Sequence, residues 1–149
     1  MSLILGQSVV TYQQAVTSKV NNTLANTNLT IPIAANQTMV GQIFAPTTVT
    51  GAASGAQYQL IVPAGGVLYQ LQYSIVNATT PAIAIIDVIT ASAAFNNALA
   101  NINTHCMTAE FTIVNGATAG NVVLQFAQLV TDAAAATLDV GAWMRVTKF

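Results

Sequence analysis

Residues 66–76 read Gly66-Val67-Leu68-Tyr69-Gln70-Leu71-Gln72-Tyr73-Ser74-Ile75-Val76, and the alternation inside this stretch decides the fold class. Tyr69, Leu71, Tyr73 and Ile75 share one face and Gln70, Gln72 and Ser74 the other, the period of a strand with one dry and one wetter surface. Pro63-Ala64-Gly65-Gly66 supplies a turn before it, and Asn77 with the Thr79-Thr80-Pro81 corner closes it. The stretch is expected to be a central strand.

Outward from it, the chain is a succession of strand candidates. Ile83 to Thr90 is dense in β-branched residues and pairs with the central strand across the turn at Ala78 to Ala82, with Asp87 expected on an exposed edge or hydrogen-bonded. Upstream, Thr38 to Ala45 and Gln57 to Val62 flank a small-residue loop from Pro46 to Gly55. Downstream, Cys106 to Val114 and Val122 to Val130 read as a hairpin around Asn115-Gly116. The chain finishes on Leu138 to Phe149, where Val140, Ala142, Met144 and Val146 share one face and Asp139, Trp143, Arg145 and Thr147 the other.

Two segments break the rhythm. Phe95, Ala98, Leu99 and Ile102, after a Ser92 cap, predict a short covering helix or compact loop over Ala91 to Asn103. Asp132 before a run of alanines reads as the cap of one helical turn. About seven strands in roughly 110 residues, with no alternating helices, predict an all-β, antiparallel jelly-roll or β-sandwich barrel over residues 38–149.

Residues 1–37 are rich in Asn, Thr, Gln and Val and are read as an extended N-terminal arm. The fourth-residue recurrence of Tyr12, Val16, Val20 and Leu24 leaves a short helix as the alternative. Stretched out, the arm reaches on the order of 120 Å, far enough to lie on a neighbour.

The 149 residues suit one domain, and a single cysteine excludes an internal disulfide. Neither a basic, apolar leader nor an apolar run near the roughly 20 residues of a spanning helix is present, so neither secretion nor a membrane partner is expected. Charge is the informative oddity. Lys, Arg, Asp and Glu make up 5% of the chain, where about 25% is ordinary, and hydrophobic residues make up 54%. Such a surface resists self-association poorly and suits a chain covered by other subunits. With Lys19, Arg145 and Lys148 as its cations, the chain is not expected to bind nucleic acid.

No catalytic constellation emerges, and neither an enzyme, a metal site nor a cofactor is expected. On a strand His105 and Cys106 diverge to opposite faces, which suits a packed histidine beside a small cysteine better than a nucleophile with its base. Asp87, Asp132 and Asp139 lack calcium-loop spacing and read as separate loop or edge carboxylates. Trp143 and Arg145 share a face, as do Tyr69 and Tyr73; these four are the candidate subunit-interface anchors, with core packing as the alternative reading. Along the arm, Leu3, Ile4, Leu5, Val9, Val10, Tyr12, Leu29, Ile31 and Ile33 are the candidate contacts to a capsid or neighbour.

The segment Val62 to Tyr73, the Phe-Thr-Ile-Val-Asn-Gly stretch around Asn115 and the terminal Val-Gly-Ala-Trp-Met-Arg-Val from Val140 resemble the capsid decoration, or cement, proteins of tailed bacteriophages. More distantly the pattern is similar to trimeric tumour-necrosis-factor-like jelly rolls. The resemblance covers Thr38 to Phe149 at the level of pattern. It implies a homotrimer on the outer capsid surface of a virion, touching the major capsid protein and neighbouring decoration trimers and bridging capsid subunits. A receptor- or carbohydrate-binding jelly-roll tip of a fibre or pilus is the alternative.

Overall fold

A computed structural model describes residues 6–50, 55–77, 83–86, 95–97 and 103–149; at 70, 71, 73, 75–77, 83–86, 95–97 and 103 it describes the backbone alone. The described strands are β1 (Gln7–Tyr12), β2 (Thr17–Lys19), β3 (Ala25–Ile33), β4 (Thr38–Val49), β5 (Ala56–Ile61), β6 (Val67–Asn77), β7 (Ile83–Ile86), β8 (Phe95–Asn97), β9 (Asn103–Val114), β10 (Gly120–Gln128), β11 (Ala136–Leu138) and β12 (Trp143–Lys148).

One sheet runs β3-β10-β5-β8, and the other contains the path β4-β9-β6-β7. All their pairings are antiparallel. The consecutive strands β3 to β10 thus fill the two sheets in the interleaved order of a jelly roll, two Greek keys folded face to face. β12 and β11 lie end to end along the free side of β4, with β1 and β2 outside them in turn. This flanking pair of ribbons widens the second sheet, and β1 is its edge.

The break between β11 and β12 has a local cause. Pro46 accepts a hydrogen bond from Asp139 N at 2.9 Å, so the side of β4 that faces the ribbon is the side on which proline has no N–H to give. The ladder stops there, and the chain turns through Gly141, whose φ of 95° suits glycine. On the outer ribbon the matching gap is filled by Gln13, which is buried. Its Nε2 donates to Ala15 O (2.6 Å) and Thr17 Oγ1 (2.7 Å), and its Oε1 accepts from Asn28 N (3.1 Å).

Between the sheets, alternate residues form the core. Leu29, Ile31 and Ile33 of β3 meet Met39 and Ile43 of β4, Phe111 of β9, Leu124 and Phe126 of β10 and Met144 of β12 in one cluster. Tyr58 is fully buried, and its hydroxyl lies 2.7 Å from Thr47 Oγ1 and 3.4 Å from His105 Nε2. Burial drives its phenol pKa well above the ordinary range, and the Thr47 hydrogen bond opposes that only in part.

Several expectations change. Residues 1–37, expected as an extended arm, are extended where described, but the described ones build β1 to β3 of the same domain, and Leu29, Ile31 and Ile33 are at most 2% exposed. The strand pattern at those three positions outweighs the low propensity of the Asn-rich sequence ahead of them. No hairpin joins the strands around Asn115, because β9 pairs β4 and β6 while β10 pairs β3 and β5 in the other sheet. Phe95 to Asn97, expected in a helix or loop, form β8 against β5; Ser92, Ala98, Leu99 and Ile102 lie outside the described residues, as does Asp87. At Asp132 the carboxylate does accept Ala134 N (2.9 Å), but within a bend that leads into β11, not a helix. The pairing of β6 with β7 is as expected, Tyr73 opposite Ile86 to Val76 opposite Ile83.

Candidate functional site

The widened sheet turns one face to the core and the other outward, and the outward face gathers four of the described contact and interface candidates, Val10, Tyr12, Trp143 and Arg145. Its rows follow from register. Tyr12 stands opposite Trp143, Trp143 opposite Phe44 and Phe44 opposite Thr108. Two residues along, Val10, Arg145, Gln42, Glu110 and Gln72 form the next row, and Ser8, Thr147, Val40 and Thr112 the one after.

The first row is an aromatic ridge. Phe44 and Trp143 stack with centroids 5.9 Å apart and planes 15° from parallel, and the Arg145 guanidinium lies 5.8 Å from the Trp143 ring. The second row is a polar relay: Arg145 Nη2 donates to Gln42 Oε1 (2.6 Å), and Gln42 Nε2 donates to Glu110 Oε1 (2.9 Å). Beside it lies an open depression of about 450 Å³ lined by residues that include Val40, Gln42, Glu110, Arg145 and Thr147. Around these polar groups, Val10 is 41%, Tyr12 58% and Val40 46% exposed.

Of the candidate contacts, Val10, Tyr12, Trp143 and Arg145 therefore come together on two neighbouring strands. Val9 points the other way and packs on the core, Leu29, Ile31 and Ile33 are inside it, and Leu3, Ile4 and Leu5 lie outside the described residues. Tyr69 falls in a register shift of β6 against β9 and is 58% exposed, so it leaves the alternation that Leu71, Tyr73 and Ile75 keep opposite Phe111, Ala109 and Met107. For Tyr73 the register position alone is described.

Gln42, Phe44 and Glu110 also belong to this face, although the sequence offers none of the three as an interface anchor. Both faces of β4 carry apolar residues, so its outward set could be identified only once its neighbours were known. Asp139, farther along, accepts from Thr48 Oγ1 and Thr137 Oγ1, each at 2.8 Å, which makes it a structural carboxylate.

His105 is buried and points inward to Tyr58, whereas Cys106 is half-buried on the outward side. Burial pushes the Cys106 thiol up, with a smaller opposing contribution from the Ala45 backbone. A raised pKa leaves less thiolate at any given pH. Ellman's reagent at pH 8 is therefore expected to react more slowly with the native chain than with free cysteine, the rate climbing as pH rises. A native rate equal to that of the free thiol would contradict the placement.

No protein-family model and no curated protein matches the chain. Among solved structures, a chain in the structure of infectious bursal disease virus Gx strain is similar at a TM-score of 0.25 and 10% identity, over 96% of this chain. This chain spans 40% of the length of that one. The jelly-roll assignment rests on this chain's own strand order.

Proposed function

We propose that the chain is a structural virion protein, a homotrimer that decorates a phage capsid and stabilises it by bridging major capsid subunits. The observation that carries this reading is the outward face of the wider sheet, which leaves Val10 and Tyr12 of β1 and Val40 of β4 in water. A monomer gains nothing from that exposure, and with 5% charged residues it has little repulsion to keep such a face from others. A subunit permanently covered in an assembly gains the burial without the risk. The resemblance to decoration proteins supplies the kind of assembly, as fold-level analogy.

The test is to band particles from the source culture on a density gradient and probe the fractions with antibody raised against the purified chain. The chain is expected in the particle band, with immunogold on the outer shell, and as a trimer by light scattering when purified alone. Recovery solely in the soluble fraction overturns the virion reading.

A further inference from the structure

We infer that the outward face of the wider sheet binds the same face of a second copy of this chain, related by a two-fold axis running along β4. The inference rests on the virion reading only for which copies meet, namely those of neighbouring trimers.

The argument begins with where the two charges of the relay stand. Arg145 on β12 and Glu110 on β9 both lie opposite Gln42 of β4, one on each flank. Among the described residues, the hydrogen-bond partner of each charge is the neutral Gln42 amide. The amide holds both side chains in place without neutralising either, and it occupies one of the five N–H donors of the guanidinium. Two opposite charges fixed symmetrically about one strand are a self-complementary pattern.

A half-turn about an axis along β4 exchanges the flanks. Glu110 of the second copy then comes over Arg145 of the first, and the reverse pair forms on the other side. Val40, Phe44 and Pro46, the outward neighbours of Gln42 along the axis strand, are apolar and meet their own equivalents. An axis along the rows would set Arg145 against Arg145, so the charges select between the two arrangements. The strands of the two copies stay aligned, which is how twisted sheets pack face to face, within about 30°. The depression, centred on the same strand, gives the partner's long Arg145 and Glu110 side chains room to enter.

The area sets the strength. Five strands about 4.8 Å apart and about six residues of about 3.3 Å make a face roughly 24 by 20 Å. Covered on both copies, that is on the order of 1,000 Å², the lower limit for a specific interface. The pairing is accordingly weak between single copies, in the roughly micromolar range, and becomes firm when a trimer presents several such faces at once.

The experiment is sedimentation of the full chain over a concentration series, with Arg145→Glu, Glu110→Arg and the double exchange. Both side chains are exposed, so the exchanges leave the core intact, which thermal melts of each variant check. The wild type is expected to double the mass of whatever unit it forms as concentration rises. Each single reversal turns two attractions into two repulsions and weakens that doubling by about 100-fold. The double exchange restores it.

Single reversals that leave the association unchanged overturn the pairing, as does a double exchange that stays as dissociated as the singles. Pairing in solution by a chain that never bands with particles sinks the virion reading and leaves the pairing intact. A particle-bound chain indifferent to the reversals does the opposite.

Discussion

A chain beginning at Thr38 is expected not to fold. Removing residues 1–37 takes away β3, the first strand of the jelly roll, and with it Leu29, Ile31 and Ile33, none more than 2% exposed. Each such side chain contributes about 1.5–3 kcal/mol by its burial, so the three together carry about 5–9 kcal/mol. A whole domain is stable by only about 5–15 kcal/mol. The deletion also strips β10 of the partner that pairs it from Gly120 to Phe126, removes the Thr27 hydroxyl that donates to Leu124 O (2.8 Å), and leaves β12 without β1. Far-UV dichroism and urea titration of the shortened chain should show no cooperative transition. A sigmoidal unfolding curve with the midpoint of the full chain would mean that residues 1–37 are an accessory arm after all.

The first strand illustrates what a local reading can and cannot reach. Leu29, Ile31 and Ile33 alternate as cleanly as the residues of β6, and Pro32 is tolerated because β3 is an edge strand. In a local reading the Asn, Thr and Gln around these positions mask that signal, although the folded chain follows it. The class of fold was legible because alternation is local, written into each strand. The order of the strands was not, because jelly-roll partners are distant in sequence: β3 pairs a strand that begins some ninety residues after it starts, at Gly120. Asn115-Gly116 shows the same limit. The dipeptide is a strong local hairpin signal, yet here Asn115 Nδ2 donates to Ala34 O (2.8 Å) and Thr118 O (2.9 Å), and Asn115 N donates to Gln37 O (2.9 Å). It clamps two inter-sheet connections together.

The candidate face divides along the same line. That Trp143 and Arg145 share a surface follows from their spacing, and this much was legible. That Arg145 faces Gln42, and Gln42 faces Glu110, depends on two registers that no single strand encodes. The bulge that turns Tyr69 outward is likewise a property of how β6 lies on β9. The site therefore became visible only when the sheet did.

Beneath that face, Phe111→Ala is expected to destabilise the fold by about 3–5 kcal/mol, the range for deleting a buried phenylalanine ring. Phe111 is 2% exposed and stands opposite Gly41 in β4, with Val146 opposite Gly41 on the other side. A Cβ on Gly41 would overlap the Phe111 ring and come within 2.8 Å of Val146 Cγ1, so the ring occupies the space a side chain at position 41 would need. The glycine is required by that space, since its φ is not in the left-handed region. Gly41→Val alone should therefore cost about 1–3 kcal/mol by overpacking. The two changes are opposite errors of volume at one spot, so they should not add. In the Phe111→Ala background the valine has a cavity to fill and keeps only its close approach to Val146 Cγ1, so the double variant should lose less than the sum of the two single losses, by about 1–2 kcal/mol. Urea titrations of the four chains close the cycle. Strictly additive losses would mean that the ring and the missing side chain do not compete for the same space. Because Gln42 follows Gly41 directly and Glu110 precedes Phe111, the same cycle reports on the outward face: a valine that shifts either strand should also loosen the Arg145–Gln42–Glu110 relay.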